Sequence, residues 1–291
     1  MSEFIVATVS TADMEEEYLH EHNIPFVMYP YTVGKEVLMD DCKKETRDLT
    51  WKLMRAGEFT TTSMINTYTY FELFDSLMQQ GKDVLFLEMS DKLSRSYNNA
   101  VEAAKMLEEK HYTNRFYLMN TLCMSGGLGL LLHYVRIMRD EGKSFDEAVE
   151  WAEANKLKIM HWFTVEDLNF LKRGGRVSNG AAWIGTLLNI KPVLYTNNEG
   201  ALVALEKERG RKKALLSILN HMKEDFTEPN GKEVFINHAD CLEDAEFMRD
   251  KIKEIFPTVG KITVMSLGAV VGAHCGPGLL TIFYVGNKRY K

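Results

Sequence analysis

The sequence has little of what would assign it to several large classes of protein. Its 291 residues include 6 prolines and 4 cysteines, and its formal net charge is −6. An acidic chain lacks the basic excess that a general nucleic-acid surface or an anionic-membrane surface requires. Because the cysteines form no Cys-x-x-Cys pair, neither a zinc knuckle nor a disulfide framework is indicated, and we expect a reducing compartment.

Signals for secretion or membrane insertion are weak as well. Residues 1–4 have neither the basic segment nor the long apolar core of a signal peptide, so we expect a cytoplasmic protein. Residues 116–134 include no charged side chain, but Gly126, Gly127 and Gly129 interrupt them. A buried strand, a glycine turn and a buried helix therefore explain this stretch better than a membrane span does.

The familiar motifs of nucleotide-binding and acyl-transfer enzymes are missing. The chain has no Gly-x-x-x-x-Gly-Lys-Ser/Thr sequence that would cradle a phosphate group. Gly127 and Gly129 lack the third glycine of a dinucleotide-binding loop, and Ser125 does not lie in a Gly-x-Ser-x-Gly turn. The adjacent His274 and Cys275 are a poor start for a set of metal ligands, so we expect no metal site.

Hydrophobic periodicity predicts α/β structure in the first half of the chain. Apolar runs at residues 4–9, 84–89 and 116–120 each end in a polar turn that precedes a helical pattern. This alternation predicts a parallel sheet covered by helices, with a ligand crevice at the carboxyl ends of the strands. We also predict a strand over residues 25–31 and a helix over residues 43–55.

The pattern changes after about Trp151. Residues 191–195 and 201–205 flank Asn197-Asn198-Glu199-Gly200, which is typical of a β-hairpin turn. Further strands and amphipathic helices follow. We therefore predict two closely packed domains, an N-terminal parallel α/β/α domain over residues 1–155 and a C-terminal α+β domain with a mixed or antiparallel sheet over residues 156–291.

One glycine-rich stretch, residues 268–278, surrounds a single histidine. Four glycines and one proline lie around His274 in this stretch. Glycine permits tight turns and close approach to a ligand, and proline fixes its own φ, so we predict a rigid loop between two strands. A lone histidine in such a loop is explained simply as a cap on a carbonyl group. A binding role requires other polar groups to converge on it.

Hydroxyl groups are the best candidates for that convergence. Thr62, Ser63, Ser94 and Ser10 all fall in predicted turns, which a parallel sheet would collect at one edge. Each one alone is more typical of a helix N-cap or a turn. Together with the imidazole of His274 they would form a set of neutral donors suited to a carboxylate or another small anion.

Basic residues form a second group of candidates. Arg176 follows two glycines, and a basic cluster contains Arg209 with four neighbours at positions 207 and 211–213. Such a cluster usually marks a solvated face. The functional alternative is a surface that steers a phosphorylated group or an acidic partner.

Several sequence landmarks follow one another along nearly the whole chain. They are residues 8–13, Thr62-Ser63, residues 90–97, Asn120-Thr121 with Ser125 and residues 127–129, residues 165–168 and 174–178, residues 188–192, and residues 272–278. By these landmarks the chain resembles the DegV family, whose characterised members bind fatty acids and present the bound acyl chain to a separate kinase subunit. The family fold is an N-terminal α/β domain and a C-terminal α+β domain with the lipid site between them.

The resemblance also implies roles for single residues. Thr62, Ser94 and His274 match the residues that hold the fatty-acid carboxylate, with Ser63 beside them. Arg176 matches an arginine near the carboxylate that is implicated in phosphoryl transfer. The implied ligand is a long-chain fatty acid, with no other cofactor.

The resemblance extends to the partner surface, and it has local departures. Arg209 matches a basic position on the face offered to the kinase. This chain has Val9, Asp91 and Asn120 where the family usually has aspartate, serine and aspartate, and Arg95 replaces a glycine next to the carboxylate-binding serine. These departures leave the expected ligand contacts in place but alter their surroundings.

Three functions remain open from the sequence. The first is a non-catalytic carrier that buries an acyl chain and relies on a partner kinase for nucleotide and magnesium. The alternative is a serine hydrolase or acyltransferase with Ser94 as nucleophile and His274 as base, although no acid that would orient the histidine is evident. The third is an interaction protein without a ligand, whose pocket would be filled by side chains.

Overall fold

The first half of the chain builds the predicted parallel sheet. The structure, a computed structural model, describes residues 4–178 and 189–289, so the landmark position Leu188 lies outside the described residues. The strands of this half are β1 (Ile5–Val9), β2 (Phe26–Val27), β3 (Pro30–Val33), β4 (Glu36–Met39), β5 (Thr60–Thr62), β6 (Val84–Glu88) and β7 (Phe116–Asn120). Within the described residues, four of them pair in parallel in the order β2-β1-β6-β7.

A small antiparallel sheet, which the sequence did not predict, stands beside the parallel one. Its order is β4-β3-β5. The predicted strand over residues 25–31 is therefore wrong in part, because the chain divides it between β2 and β3. Thr62 lies in β5 and not in a turn, which corrects a second prediction. Threonine is β-branched and suits a strand, and that preference outweighed the polar character of the run.

The helices of the first half cover the parallel sheet. They are α1 (Glu16–Glu21), α2 (Lys44–Arg55), α3 (Thr67–Met78), α4 (Ser96–Glu108), α5 (Ser125–Asp140) and α6 (Phe145–Asn155). Strands β1 and β6 are buried along their whole length, as expected of central strands with helices on both faces. The predicted helix over residues 43–55 corresponds to α2.

The second half forms a mixed sheet, as predicted. Its strands are β8 (Ile159–Thr164), β9 (Val177–Ser178), β10 (Ile190–Thr196), β11 (Leu202–Arg209), β12 (Val234–His238), β13 (Ile262–Ser266) and β14 (Leu280–Val285). In the described residues the order is β13-β12-β14-β8-β10-β11-β9, with parallel pairs at both edges and antiparallel pairs between them. Strands β10 and β11 confirm the predicted hairpin.

The helices of the second half include one that replaces a predicted loop. They are α7 (Leu168–Gly174), α8 (Arg211–Asp225), α9 (Leu242–Ile255) and α10 (Ala269–Cys275). The rigid loop predicted for residues 268–278 is wrong, because α10 fills most of it and carries His274 in its last turn. The buried apolar run that begins at Ala269 favours a helix, and Gly276, with φ 76°, ends it.

Helix α5 lies between the two sheets and packs against both. A Cβ atom at Gly127 would overlap Nε2 of His161 in β8, and one at Gly126 would overlap Oδ1 of Asn237 in β12. Glycine is needed at both positions because helix and sheet approach so closely. These glycines are therefore explained by packing. Among the described helices, none is long and apolar enough to cross a membrane.

The buried apolar side chains form two clusters. The larger contains residues of the parallel sheet, α5 and α10, together with residues of the mixed sheet such as Phe163 and Phe283. The smaller lies on the other face of the mixed sheet, where Trp162 and Ile282 pack with residues of α8 and α9. The boundary at residues 155 and 156 stays a prediction.

A buried ionic cluster joins α2 to both halves. Arg47 donates from Nη1 to the carbonyl oxygen of Ser266 at 2.8 Å and from Nη2 to that of Met14 at 2.7 Å. The carboxyl groups of Asp13 and Asp40 are also buried. Burial raises the pKa of Asp13 to about 7 and also raises that of Asp40, and the charge of Arg47 opposes both shifts. Arg47 therefore supplies the compensating charge for two buried carboxyl groups.

Burial on α2 and α4 does not follow the apolar character of the side chains alone. Leu49 of α2 is 46% exposed, and the helix buries Arg47 and Trp51 instead. The face of α4 with Tyr97 is only partly buried, whereas Ala100 is fully buried. A buried arginine on α2 is not an expected member of an apolar stripe, so periodicity alone could not place that face.

We predict that replacing Arg47 by Leu destabilises the fold by about 3–5 kcal/mol, because the substitution leaves buried carboxyl groups without their opposing charge. The free energy of unfolding from urea titration measures the loss. Arg249→Met is the control, since it removes ion pairs with Glu246 and Asp250 at the surface, and we expect little change because exposed ion pairs contribute little to stability. Equal losses for the two variants would contradict a special role for Arg47.

Candidate functional site

A largely apolar cavity lies where β5, α7, α10 and the loop after β6 meet. It contains about 600 Å³ of space free of protein atoms, including its open mouth. Its lining residues are Tyr29, Thr62, Ser63, Met64, Met89, Leu93, Ser94, Met124, Leu171, Arg176, Leu202, Val270, Val271, His274 and Cys275. The polar members of this set include Thr62, Ser63, Ser94 and His274, the residues that the family resemblance implies as carboxylate ligands.

Two of these residues are in direct contact. Oγ1 of Thr62, at the end of β5, lies 2.8 Å from Nε2 of His274, 212 positions later in the chain. Helix α10 packs against β5 and α7, and this packing brings the pair together. A Cβ atom at Gly174 in α7 would come 2.5 Å from Nδ1 of His274, so glycine is required there for the close approach.

Ser94 occupies the loop between β6 and α4. Its Oγ lies 3.3 Å from the hydroxyl oxygen of Tyr29 and accepts a hydrogen bond from the backbone N–H of Ser96 at 3.2 Å. Its own N–H donates to the carbonyl oxygen of Ser90 at 3.2 Å. The loop is therefore fixed at both ends of the serine, and the hydroxyl group of Ser94 lines the cavity.

The imidazole of His274 is held in its neutral form. Burial, together with the nearby charge of Arg176, lowers its pKa to about 4. Near neutral pH the ring therefore provides one donor and one acceptor. In the part of the chain that the structure describes, no carboxylate forms an ion pair with this ring, so the acid that would orient a catalytic histidine is missing from the site.

The polar end of the cavity opens into a second, more polar cleft. Thr62, Arg176 and His274 line both spaces. Arg176 is exposed, and its guanidinium group donates to the carbonyl oxygens of Leu93, at 3.2 Å, and of Gly174. A head group at Thr62 and His274 would therefore be reachable from outside through the cleft, next to a positive charge.

Two other predicted residues lie outside the cavity. Arg209 is exposed at the end of β11 and does not line either space. Ser10 is buried, and its Oγ accepts from the backbone N–H of Tyr29 at 3.1 Å. The suggestion that Ser10 joins the other hydroxyl groups at the site is therefore wrong, since its oxygen fixes the backbone that carries Tyr29. Ser63 lines the cavity and is exposed.

Sequence reasoning missed two residues that support Ser94. Tyr29 donates towards Ser94, and Glu88 at the end of β6 lies 3.2 Å from the same tyrosine hydroxyl group. Neither residue belongs to a motif, and the contacts span 65 and 59 positions. By contrast, the sequence pointed to the apolar wall residues Val270 and Val271, because they lie in the glycine-rich stretch around His274.

The chemistry of the site is that of neutral hydrogen-bond donors facing an apolar cavity. Within the described residues, no group of three or more His, Cys, Asp or Glu side chains could hold a metal ion. Oγ of Ser94 is bonded to Tyr29 and Ser96, while Nε2 of His274 is bonded to Thr62. The serine and the histidine therefore have separate partners, which suits binding better than nucleophilic attack.

Sequence comparison identifies the family. A sequence model described as "Uncharacterised protein, DegV family" matches residues 3–287. The chain belongs to the DegV family. A DegV domain-containing protein of Clostridium perfringens is 36% identical over 290 residues, which is 99% of each chain. One from Streptococcus pyogenes serotype M3 is 31% identical and matches 98% of this chain and 99% of its own length.

Solved structures of other DegV proteins share this fold, and two of them are described as binding fatty acids. A DegV family protein from Thermus thermophilus, described as binding fatty acid, has a TM-score of 0.88 and 26% identity, covering 98% of this chain and all (100%) of its own. A fatty-acid-binding DegV family protein from Streptococcus agalactiae has a TM-score of 0.84 and 27% identity, covering 99% and 100%. The resemblance stated from the sequence and the fold class are both confirmed.

We predict that His274 stays neutral down to about pH 4, because burial and Arg176 both disfavour the imidazolium. NMR titration of the imidazole signals measures this pKa, with His274→Gln to assign the signal. Arg176→Gln is expected to raise the pKa by less than full exposure would, since burial is the larger cause. Titration of the wild-type ring at the ordinary value of about 6.5 would contradict the burial of the site.

Proposed function

We propose that this DegV protein binds a long-chain fatty acid, with the acyl chain in the apolar cavity and the carboxylate at Thr62, Ser94 and His274. The observation that carries the proposal is that two hydroxyl groups and a neutral imidazole line one largely apolar cavity, with Thr62 and His274 in direct contact. Fatty-acid binding by DegV relatives that share the fold supports it.

The two parts of the ligand contribute differently. Each buried CH₂ group contributes roughly 0.8 kcal/mol, so the chain provides most of the affinity. A hydrogen bond to a charged group contributes about 1.5–3 kcal/mol, so the head-group contacts fix orientation and add a smaller part. The cavity therefore selects a long apolar chain, and the donors at its end select an anion.

We propose further that the protein is a carrier without catalytic activity of its own and presents the carboxylate to a separate kinase subunit. The cleft at the polar end supports this proposal because it leaves Thr62 and His274 reachable from solvent. Arg176, at the same end, would stabilise a transferring phosphoryl group. Arg209 would belong to the face that meets the kinase. The partner would supply ATP and Mg²⁺, and we place the reaction in the cytoplasm.

The proposed division of the chain agrees with the position of the cavity. Residues 1–155 contribute the wall from Tyr29 to Met124, and residues 156–291 contribute the wall from Leu171 to Cys275. A ligand in the cavity would then lie between the two proposed domains. Cavities between domains are common ligand sites.

The hydrolase alternative receives no support from the geometry. Thr62, and not Ser94, is the hydrogen-bond partner of His274 Nε2. Activation of Ser94 by His274 would require the ring to break that contact. A fluorophosphonate probe that labels Ser94 would restore this alternative.

We predict that the purified protein contains or takes up one long-chain fatty acid, identified by mass spectrometry of the extracted lipid. His274→Gln and Thr62→Val are expected to weaken palmitate binding about tenfold or more each, because a lost bond to a charged group is worth about 1.5–3 kcal/mol. Thr258→Val, at an exposed threonine outside the cavity, is the control and should bind normally. A protein that contains no lipid and takes up none would overturn the proposal.

The kinase proposal has a separate test. With a purified fatty acid kinase subunit, ATP and Mg²⁺, the loaded protein should yield acyl phosphate, which hydroxylamine traps as a hydroxamate. Arg176→Gln should lower this yield at least tenfold while palmitate binding stays near normal, because the arginine acts on the phosphoryl group.

Arg209→Gln should raise the kinase concentration needed for half-maximal yield. Lys253→Gln, exposed on α9, is the control. Unchanged yields in both arginine variants would contradict these roles.

A further inference from the structure

A buried carboxyl group lies behind the cavity and is not part of the proposed ligand contacts. Glu88, at the end of β6, is fully buried. Its Oε2 accepts from the hydroxyl group of Tyr70 at 2.7 Å, and its Oε1 accepts from the hydroxyl group of Tyr29 at 3.2 Å and from the N–H of Met89 at 3.0 Å. Burying a carboxyl group is costly, so its partners require an explanation.

The contacts continue from Glu88 to the cavity. The hydroxyl group of Tyr29 lies between Oε1 of Glu88, at 3.2 Å, and Oγ of Ser94, at 3.3 Å. Both Tyr29 and Ser94 line the cavity. A chain of hydrogen bonds therefore runs from a buried acid to a proposed head-group ligand.

The donor-to-acceptor direction of these hydrogen bonds depends on the position of one proton. Tyr29 has a single hydroxyl proton, for which Oε1 of Glu88 and Oγ of Ser94 compete, and the side chains of Ser96 and Tyr70 also neighbour its oxygen. When Glu88 is ionised it accepts that proton, and the oxygen of Tyr29 can then accept from Ser94. When Oε1 of Glu88 is protonated it donates to Tyr29, and Tyr29 then donates to Ser94. The two protonation states of Glu88 thus favour opposite orientations of both hydroxyl groups.

The orientation of Ser94 decides what it offers to a ligand. Its Oγ already accepts from the N–H of Ser96 at 3.2 Å. If it also accepts from Tyr29, both lone pairs are used and its proton is free to donate into the cavity, where a carboxylate would accept it. If it donates to Tyr29, only a lone pair faces the cavity, and this suits a head group that itself donates.

We propose that Glu88 and Tyr29 are positioning residues that set the direction of the Ser94 hydroxyl group, so that binding an ionised carboxylate requires a proton on Glu88. Ionised Glu88 would instead favour a head group with its own proton, such as an alcohol or an un-ionised acid. The inference rests on the proposed fatty-acid site and specifies which protonation state of the head group that site selects.

The surroundings of Glu88 make this proton exchangeable near neutral pH. Burial raises its pKa to about 7, opposed by the bonds from Tyr70, Met89 N–H and Tyr29. The titratable groups that face it are Tyr29, before β3, and Tyr70, on α3. Burial and the charge of Glu88 raise the pKa of both tyrosines, so they keep their protons and transmit orientation only.

Other groups have to be separated from Glu88 in a pH experiment. Tyr97 on α4 responds to the charge of Glu88, but its pKa is raised above the ordinary tyrosine value. His274 titrates at about pH 4, below the range of interest. Asp13 titrates at about 7, with burial as the main cause, and Glu88 is not among the charges that act on it. The difference between wild type and a Glu88 variant removes the contribution of Asp13.

The coupling between palmitate binding and the protonation of Glu88 has a definite sign. A carboxylate ligand stabilises protonated Glu88, so binding takes up a proton when the free protein has lost it. Above about pH 7 the affinity for palmitate should fall by up to about tenfold per pH unit. The fall ends at the pH where palmitate binds mainly to the protein with ionised Glu88. Hexadecanol, which donates its own proton, should show no such fall.

Calorimetry with palmitate below its micellar concentration tests the proposal. At about pH 8, in buffers of different ionisation enthalpy, wild type should take up close to one proton per palmitate, and the affinity should fall between about pH 6 and pH 8. Glu88→Gln, which cannot ionise, should bind without this uptake and with a flat profile. Tyr29→Phe breaks the chain while leaving Glu88, and should also uncouple binding from pH, so it keeps the test decisive if the glutamine variant does not fold.

The control is Glu72→Gln, at an exposed position on α3, which should retain the wild-type proton uptake. Palmitate binding by wild type without proton uptake, or an unchanged pH profile in both Glu88→Gln and Tyr29→Phe, would overturn the inference and leave the fatty-acid site standing. If wild type binds palmitate at no pH, the proposed function itself fails, and the inference fails with it. Equal pH dependence for palmitate and hexadecanol would also overturn it.

Discussion

The position of α10 depends on the buried guanidinium group of Arg47, because that group holds Ser266, the last residue of β13, three positions before the helix begins. Arg47 donates to the carbonyl oxygen of Ser266, and Trp51, one turn later on α2, donates from Nε1 to Oγ of the same serine at 3.3 Å. A Cβ atom at Gly272 would overlap the ring of Trp51, so α10 and α2 are in close contact along the helix. His274 then reaches Thr62 because its helix is fixed at the other end. The geometry of the cavity therefore depends on an ionic cluster whose residues Arg47, Asp13 and Asp40 do not line it.

Local sequence patterns predicted many of the helices and strands, whereas contacts between distant residues determine the geometry of the candidate site. The strands over residues 84–89 and 116–120 and the hairpin at Asn197–Gly200 were readable because alternation and turn residues act within a few positions. The direct contact between Thr62 and His274 was not readable, since 212 positions separate them. The resemblance to DegV proteins placed the two residues together without a physical reason, and the packing of α10 against β5 now gives one.

The errors of prediction have physical causes of the same kind. Polar character suggested a turn for Thr60–Thr62, but pairing with β3 gave these threonines a strand. Glycine content suggested a loop around His274, but several of those glycines provide room for neighbours in contact with a helix. Tyr29 and Glu88 carried no local signal, because their roles exist only once β6, α3 and the start of β3 are assembled. Function here depends on side chains that the fold brings together from separate elements.

A site made of neutral donors has a consequence for the proposed presentation of the carboxylate. A bidentate arginine pair would hold a carboxylate more strongly, but it would also compete for the oxygen that must attack a phosphoryl group. In the proposed site Thr62, Ser94 and a neutral His274 would instead orient the head group with modest bonds, while the buried acyl chain would supply the affinity. Arg176 lies at the cleft and is bonded to backbone carbonyl oxygens, so its charge would be available to a phosphoryl group brought by the proposed kinase. The acyl chain would then supply the affinity, and the carboxylate would stay available for reaction. A carrier requires this separation if a second protein is to phosphorylate its ligand.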